Sequence, residues 1–174
     1  ATPLIADGVL YTTTAWSKVF AFDAKTGKPL WTFDPKVPGE KGFNACCDVV
    51  NRGVALWGGM VYVGTIDGRL IALDGKTGAP EWTVQTTNPD RPYTITGAPR
   101  AIKGKILIGN GGAEYGVRGY VSAFDAKTGN LDWRFYMTPN PRGAPDDAAS
   151  DKIMQAKAAA TWSDGYWRQT GGGG

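Results

Sequence analysis

The sequence predicts an all-β fold of about three consecutive tryptophan-docked blades, and three observations carry that prediction. One unit recurs three times at a fixed spacing. Each copy runs from an alternating strand pair through an Asp-x-Lys-Thr-Gly turn into a strand bearing Trp. The composition, with 25 Gly, 11 Pro and 7 Trp in 174 residues, supplies many turns and large flat side chains but few helix formers.

The copies are Ala21-Phe22-Asp23-Ala24-Lys25-Thr26-Gly27 leading to Trp31, Ala72-Leu73-Asp74-Gly75-Lys76-Thr77-Gly78 leading to Trp82, and Ala123-Phe124-Asp125-Ala126-Lys127-Thr128-Gly129 leading to Trp133. Successive Asp residues are 51 apart, and so are successive Trp residues. In each turn Asp can accept hydrogen bonds from following amides, and Gly takes the positive-φ position that closes it. Trp offers a broad surface for packing one unit on the next. Ahead of the turns, alternation predicts strand pairs at 9–13 with 19–22, 60–64 with 70–73, and 105–109 with 120–124. A period near 50 made of about four short strands has the size of a propeller blade. The blades fall at about 1–35, 52–86 and 97–137. Three blades cannot close a ring, so the sequence reads as an internal fragment of a larger propeller.

Beyond the blades, 138–174 is an excursion. Asp151 to Thr161 predicts a short helix, with Ser150 as N-cap and Ile153, Met154 and Ala158 as its apolar side. Several function classes drop out on composition. The charged residues, 19 Lys plus Arg against 16 Asp plus Glu, leave a net charge of +3 without a basic cluster, which gives no reason to invoke nucleic acid. No apolar run approaches the ~20 residues of a membrane-spanning helix. His is absent, which removes His acid–base chemistry and His metal ligands from this stretch.

Function is expected where the repeat is interrupted, because rigid scaffolds present binding groups on loops. Tyr11 to Asp23 and Tyr62 to Asp74 each span 12 residues, whereas Leu107 to Asp125 spans 18. The six extra residues lie within Asn110–Gly119. The link from Trp31 to Tyr62 is likewise six longer than that from Trp82 to Leu107, and it carries the only two cysteines, Cys46 and Cys47. Two readings of this pair stand open: reduced, partly buried thiols, or a disulfide between neighbours. The second is hard to close, since adjacent Cα atoms lie about 3.8 Å apart and disulfides usually span about 4.4–6.8 Å. Gly111 and Gly112 would let a ligand approach the backbone closely. Glu114 is either an exposed or paired loop residue or an oxygen ligand for a hard cation such as Ca²⁺. Arg52 is either half of a surface ion pair or a bidentate partner for a flat anionic ligand.

Three runs together carry a family resemblance: Cys46-Cys47-Asp48-Val49-Val50-Asn51-Arg52-Gly53, then Thr94-Ile95-Thr96-Gly97-Ala98-Pro99, then Gly111-Gly112-Ala113-Glu114-Tyr115-Gly116-Val117-Arg118-Gly119-Tyr120. In this order they resemble the pyrroloquinoline-quinone (PQQ) dependent alcohol dehydrogenases, most nearly the quinoprotein and quinohaemoprotein ethanol dehydrogenase type. The resemblance implies an eight-bladed β-propeller in the periplasm that binds PQQ and Ca²⁺ and oxidises primary alcohols to aldehydes. Electrons would pass to a cytochrome c or a quinone. It further implies that Cys46 and Cys47 form a vicinal disulfide against one face of PQQ. Arg52 would contact the quinone oxygens, Thr96, Gly112 and Ala113 would hydrogen-bond the polar edge beside Gly111, and Glu114 would ligate the metal. The catalytic base, the other metal ligands, the residue that decides between Ca²⁺ and a lanthanide, and any haem c would lie outside this stretch. Two alternatives stay open: a non-enzymatic propeller scaffold of the outer-membrane assembly type, and a quinoprotein acting on another alcohol or a polyol.

Overall fold

The computed structural model describes residues 1–161 and Gly172. Among the described residues, twelve strands form three four-stranded antiparallel meanders. The first sheet contains β1 (Leu4–Ala6), β2 (Val9–Thr13), β3 (Val19–Asp23) and β4 (Pro29–Phe33). The second contains β5 (Ala55–Trp57), β6 (Met60–Gly64), β7 (Arg69–Asp74) and β8 (Pro80–Gln85). The third contains β9 (Arg100–Ile102), β10 (Lys105–Gly109), β11 (Tyr120–Asp125) and β12 (Leu131–Tyr136). The all-β expectation holds. Sequence patterning did not disclose β1, β5 and β9, since three residues are too few to show an alternation.

The repeat is reproduced down to register. Tyr11, Ala21 and Trp31 stand abreast across the first sheet, Tyr62, Ala72 and Trp82 across the second, and Leu107, Ala123 and Trp133 across the third. The central Ala is fully buried in every sheet. A larger residue there would push out the aromatic pair beside it, whose ring centroids lie 5.9 Å apart for Tyr11–Trp31 and 5.8 Å for Tyr62–Trp82. Each pair then reaches into the next sheet. Tyr11 Oη and Trp31 Nε1 both donate to Gly75 O, at 3.1 and 3.0 Å. Tyr62 Oη and Trp82 Nε1 both donate to Ala126 O, at 2.9 and 3.2 Å. Apolar side chains fill the space between sheets, Val19, Val61 and Leu73 on one side and Leu70, Ile106 and Phe124 on the other.

The Asp turns are built as their sequence requires. Asp23 Oδ1 accepts from the amides of Lys25 and Thr26 and from the Thr26 hydroxyl, at 3.1, 2.7 and 2.7 Å. The same three bonds recur at Asp74 and Asp125.

The excursion differs from expectation in two respects. Its helical segment is α-helical over Asp151–Ile153, widens to a π-turn over Met154–Ala158 and returns to α over Ala159–Thr161. Ser150 is not its cap: the residue has helical backbone angles and its Oγ accepts from Tyr136 N instead, at 3.0 Å. Asp151 Oδ2 accepts the preceding amides of Asp146 and Ala148. Met154 is buried as expected, but Ile153 is 55% exposed, so the apolar side is narrower than the sequence suggests. The rest of the predicted excursion, apart from Gly172, lies outside the described residues. Among the described residues no helix is long and apolar enough to cross a membrane.

Candidate functional site

The two interruptions of the repeat approach one another at the side chains of Cys46 and Glu114. The first, between β4 and β5, passes through a 3₁₀ turn at Gly39–Asn44 and then Cys46 and Cys47. Trp16 holds this link. Its N–H donates to Val49 O at 2.9 Å, and its ring and the Val49 side chain both close on Gly42, where a Cβ would meet them at 3.0 and 3.2 Å. Trp16 and Ser17 have positive φ, 62° and 58°, a strained conformation for two non-glycine residues in succession.

Downstream, Asn51 is buried and braces the chain at both ends of its amide: Nδ2 donates to Gly64 O at 2.8 Å and Oδ1 accepts from Gly53 N at 3.0 Å. Arg52, the next residue, is thereby turned outward. Its amide donates to Thr96 O at 2.9 Å and its Nη1 donates to Thr96 Oγ1. The two residues are thus joined through both backbone and side chain. They share a cavity of about 320 Å³ with Gly97, Ala98, Asn110 and Gly111. A second cavity of about 420 Å³, bounded by Thr2, Leu4 and Arg100, also borders Arg52, Gly97 and Ala98. A larger cleft, about 610 Å³, lies elsewhere, against Trp57, Tyr62 and Lys127, and holds none of the predicted site residues.

The Gly-rich insertion starts at this cavity. Gly111 pairs with Thr94 as an isolated bridge, with N···O distances of 2.7 and 3.3 Å. Gly112 has φ 106°, and a Cβ on it would come within 2.2 Å of Pro92 O, so only glycine fits. A 3₁₀ turn follows at Ala113–Tyr115. Among the described residues, the amides of Gly112, Ala113 and Glu114 donate to no protein acceptor. Asn110, which sequence reasoning passed over, fixes the start of the loop by donating to Gly111 O and accepting from Tyr120 N. An Asn directly after a strand and before a glycine run is a signal that could have marked it.

The placement of the predicted residues is therefore as follows. Arg52, Thr96 and Gly111 line one cavity, and Gly112, Ala113 and Glu114 lead away from it. Arg52 and Glu114 make no ion pair among the described residues, and Arg118, near Glu114 in sequence, pairs with Asp146 instead. Cys46 and Cys47 are exposed free thiols 2.6 Å apart. The covalent bond that the resemblance implies is not made here, and no described peptide is cis. The Cys46 thiol is pushed up to about 11, first by its hydrogen bond with Cys47 and then by its hydrogen bond with Glu114. Among the described residues no three His, Cys, Asp or Glu side chains converge to hold a metal ion, so Glu114 supplies one ligand at most.

The family model for the PQQ glucose/ethanol/alcohol dehydrogenase β-propeller domain matches residues 1–165. The chain belongs to that family. It is 60% identical over 180 residues to the dehydrogenase subunit of alcohol dehydrogenase (quinone) from Gluconobacter oxydans, covering 99% of this chain and 24% of the relative. Quinohaemoprotein alcohol dehydrogenase ADHIIG from Pseudomonas putida superimposes with a TM-score of 0.90 at 51% identity, over 99% of this chain and 25% of that one. A europium-containing methanol dehydrogenase superimposes with a TM-score of 0.75 at 37% identity, over 80% and 25%. The chain thus spans about a quarter of the length of these relatives, and its three sheets are blades of a PQQ-dehydrogenase propeller.

The residues present fit such a cofactor. A flat polyanionic quinone needs charge-assisted donors on its oxygens and backbone that it can approach without side chains in the way. Arg52 and Thr96 supply the former, and Gly97 the latter, since a Cβ there would meet nothing within 4 Å.

Proposed function

We propose that this chain is the cofactor-holding part of a periplasmic quinoprotein that oxidises primary alcohols to aldehydes. The observation that carries the reading is the joint placement of Arg52, Thr96 and Gly111 on one cavity, with the amides of Gly112 and Ala113, which have no protein acceptor among the described residues, leading from it. Two-electron oxidation of the alcohol, with a metal ion as Lewis acid, is the chemistry that PQQ and its ion supply when bound. The chain's own residues place and charge-balance that group. Arg52 presents its guanidinium where negative charge grows on reduction, an effect strengthened where water is excluded. Thr96 and the amides of Gly112 and Ala113 hold the polar edge.

Glu114 gives the ion one carboxylate oxygen. Ca²⁺ suits that hard ligand, and a lanthanide would suit it too. Cys46 and Cys47 close as a vicinal disulfide in the oxidising periplasm, turning two soft side chains into one rigid platform beside Glu114. No described residue is placed to take the alcohol proton, so the base lies outside this stretch. Electrons leave to a cytochrome c or a quinone, in line with relatives named alcohol dehydrogenase (quinone) and 1-butanol dehydrogenase (cytochrome c). Spectroscopic titration of the full-length apo-protein with PQQ, with and without Ca²⁺, tests the reading. Saturable binding that needs Arg52 supports it, and no binding in either condition refutes it.

A further inference from the structure

We propose that Arg118 and Asp146 are positioning residues that anchor the Gly111–Glu114 segment, which makes the 138–150 excursion a working support of the cofactor and metal site. The inference rests on the PQQ reading above. The segment cannot hold itself. Gly112 and Gly116 have φ of 106° and 76°, Glu114 and Tyr115 are exposed, and the bonds inside the loop are local backbone ones such as Gly116 N to Ala113 O. Glycines at such positions widen the range of conformations a loop can visit. Where Glu114 sits is therefore set from outside the loop, by its two ends together with Arg91 Nη2 donating to Gly116 O at 3.2 Å and the contact of Glu114 with Cys46. The leading end is tied by the Thr94–Gly111 bridge and the Asn110 amide.

The trailing end is Arg118, whose side chain is spent on the excursion. Nη1 and Nη2 donate to the two oxygens of Asp146, each at 2.8 Å, and Nε and Nη2 donate to Thr138 O at 3.0 and 2.6 Å. Its Cζ lies 3.9 Å from the Tyr136 ring centroid. Both charged side chains are nearly buried, at 11% and 12% exposure. The Arg118 backbone is held as well, by the Tyr93 hydroxyl and by a parallel bridge to Gly172. Asp146 is fixed in turn: Asn140 Nδ2 donates to its Oδ1 at 2.9 Å, and its own N–H donates to Asp151. The four-stranded repeat has no use for this construction, since the first two blades do without it. It occurs in the blade that carries the insertion.

The test uses full-length apo-enzyme, with PQQ and Ca²⁺ as probes and tryptophan fluorescence as the binding readout, alongside thermal melting of the apo-protein. Asp146→Asn should weaken Ca²⁺ affinity in the presence of PQQ by about 10–100-fold, the range for groups that orient a metal ligand. Activity should return at saturating Ca²⁺, because the reacting atoms are untouched. Asn140→Ala loosens Asp146 without stranding a charge, so it should show a smaller loss in the same direction even if Asp146→Asn does not fold. Lower melting temperatures with unchanged Ca²⁺ and PQQ affinities in the folded variants would overturn the inference and leave the pair a purely structural one. Absence of PQQ binding in the unsubstituted enzyme would instead strike down the reading on which the inference rests.

Discussion

Trp82 packs on the backbone of Gly129 so closely that a Cβ there would lie 2.8 Å from the indole, and Trp31 stands in the same relation to Gly78 at 2.6 Å. Both glycines also have positive φ, 74° and 73°. The contact between blades is thus an aromatic ring against bare backbone. Gly129→Ala should destabilise the protein by roughly 2–4 kcal/mol, combining left-handed backbone strain with overpacking. Gly104→Ala carries the φ cost alone, because nothing lies within 4 Å of its Cβ position. Thermal unfolding of the full-length variants should therefore rank Gly104→Ala clearly above Gly129→Ala, and equal midpoints would contradict this account of the blade contact.

The turn aspartates predict an acid limb of stability. Asp23 and Asp74 are held below the ordinary carboxylate range, first by the hydroxyls and then by the amides of Thr26 and Thr77, and Asp125 first by the Thr128 amide. A carboxyl whose pKa is lower folded than unfolded stabilises the fold above its unfolded value of about 3.9 and loses that contribution as pH falls through the folded value. Urea midpoints should accordingly drop on going from pH 5 to pH 3. In a variant with Asp23, Asp74 and Asp125 all changed to Asn, the slope should be shallower; an unchanged slope would place the acid sensitivity elsewhere.

Much of this was legible in the sequence. The 51-residue spacing located every turn and every docking Trp, since a repeat repeats its contacts as well as its residues. The six-residue excess in the third blade located the glycine loop. Other parts rest on long-range partners that no local pattern encodes. Ser150 looks like a cap because it precedes a helical run, yet Tyr136 N, 14 residues away, claims its hydroxyl. Arg118 looks like a partner for nearby Glu114, yet Asp146, 28 residues on, takes it. The brace at Asn51 and the Trp16 clamp show only once the chain is folded.

Arg52→Ala removes a fork of charged donors, a loss of about 1.5–3 kcal/mol for a charge-assisted bond. PQQ affinity should fall by roughly 10–100-fold, as read by titration of the apo-enzyme, and Arg52→Lys should recover only part of it because the planar fork is lost. Full affinity in Arg52→Ala would remove this residue from the site.

Cys46 and Cys47 are both exposed, so their oxidation state is directly accessible to chemistry. In protein isolated without reductant, Cys46 and Cys47 should take up no iodoacetamide until they are reduced, and then one equivalent each. Immediate labelling of the native protein would count against the vicinal disulfide.

The most direct measurement is alcohol-dependent dye reduction by the full-length Glu114→Ala and unsubstituted enzymes, with PQQ and Ca²⁺ supplied together or singly. The unsubstituted enzyme should turn over ethanol only when both are present, and Glu114→Ala should be inactive at a Ca²⁺ concentration that just saturates the former. Turnover without PQQ, or normal turnover by Glu114→Ala at limiting Ca²⁺, would contradict the assignment of this site.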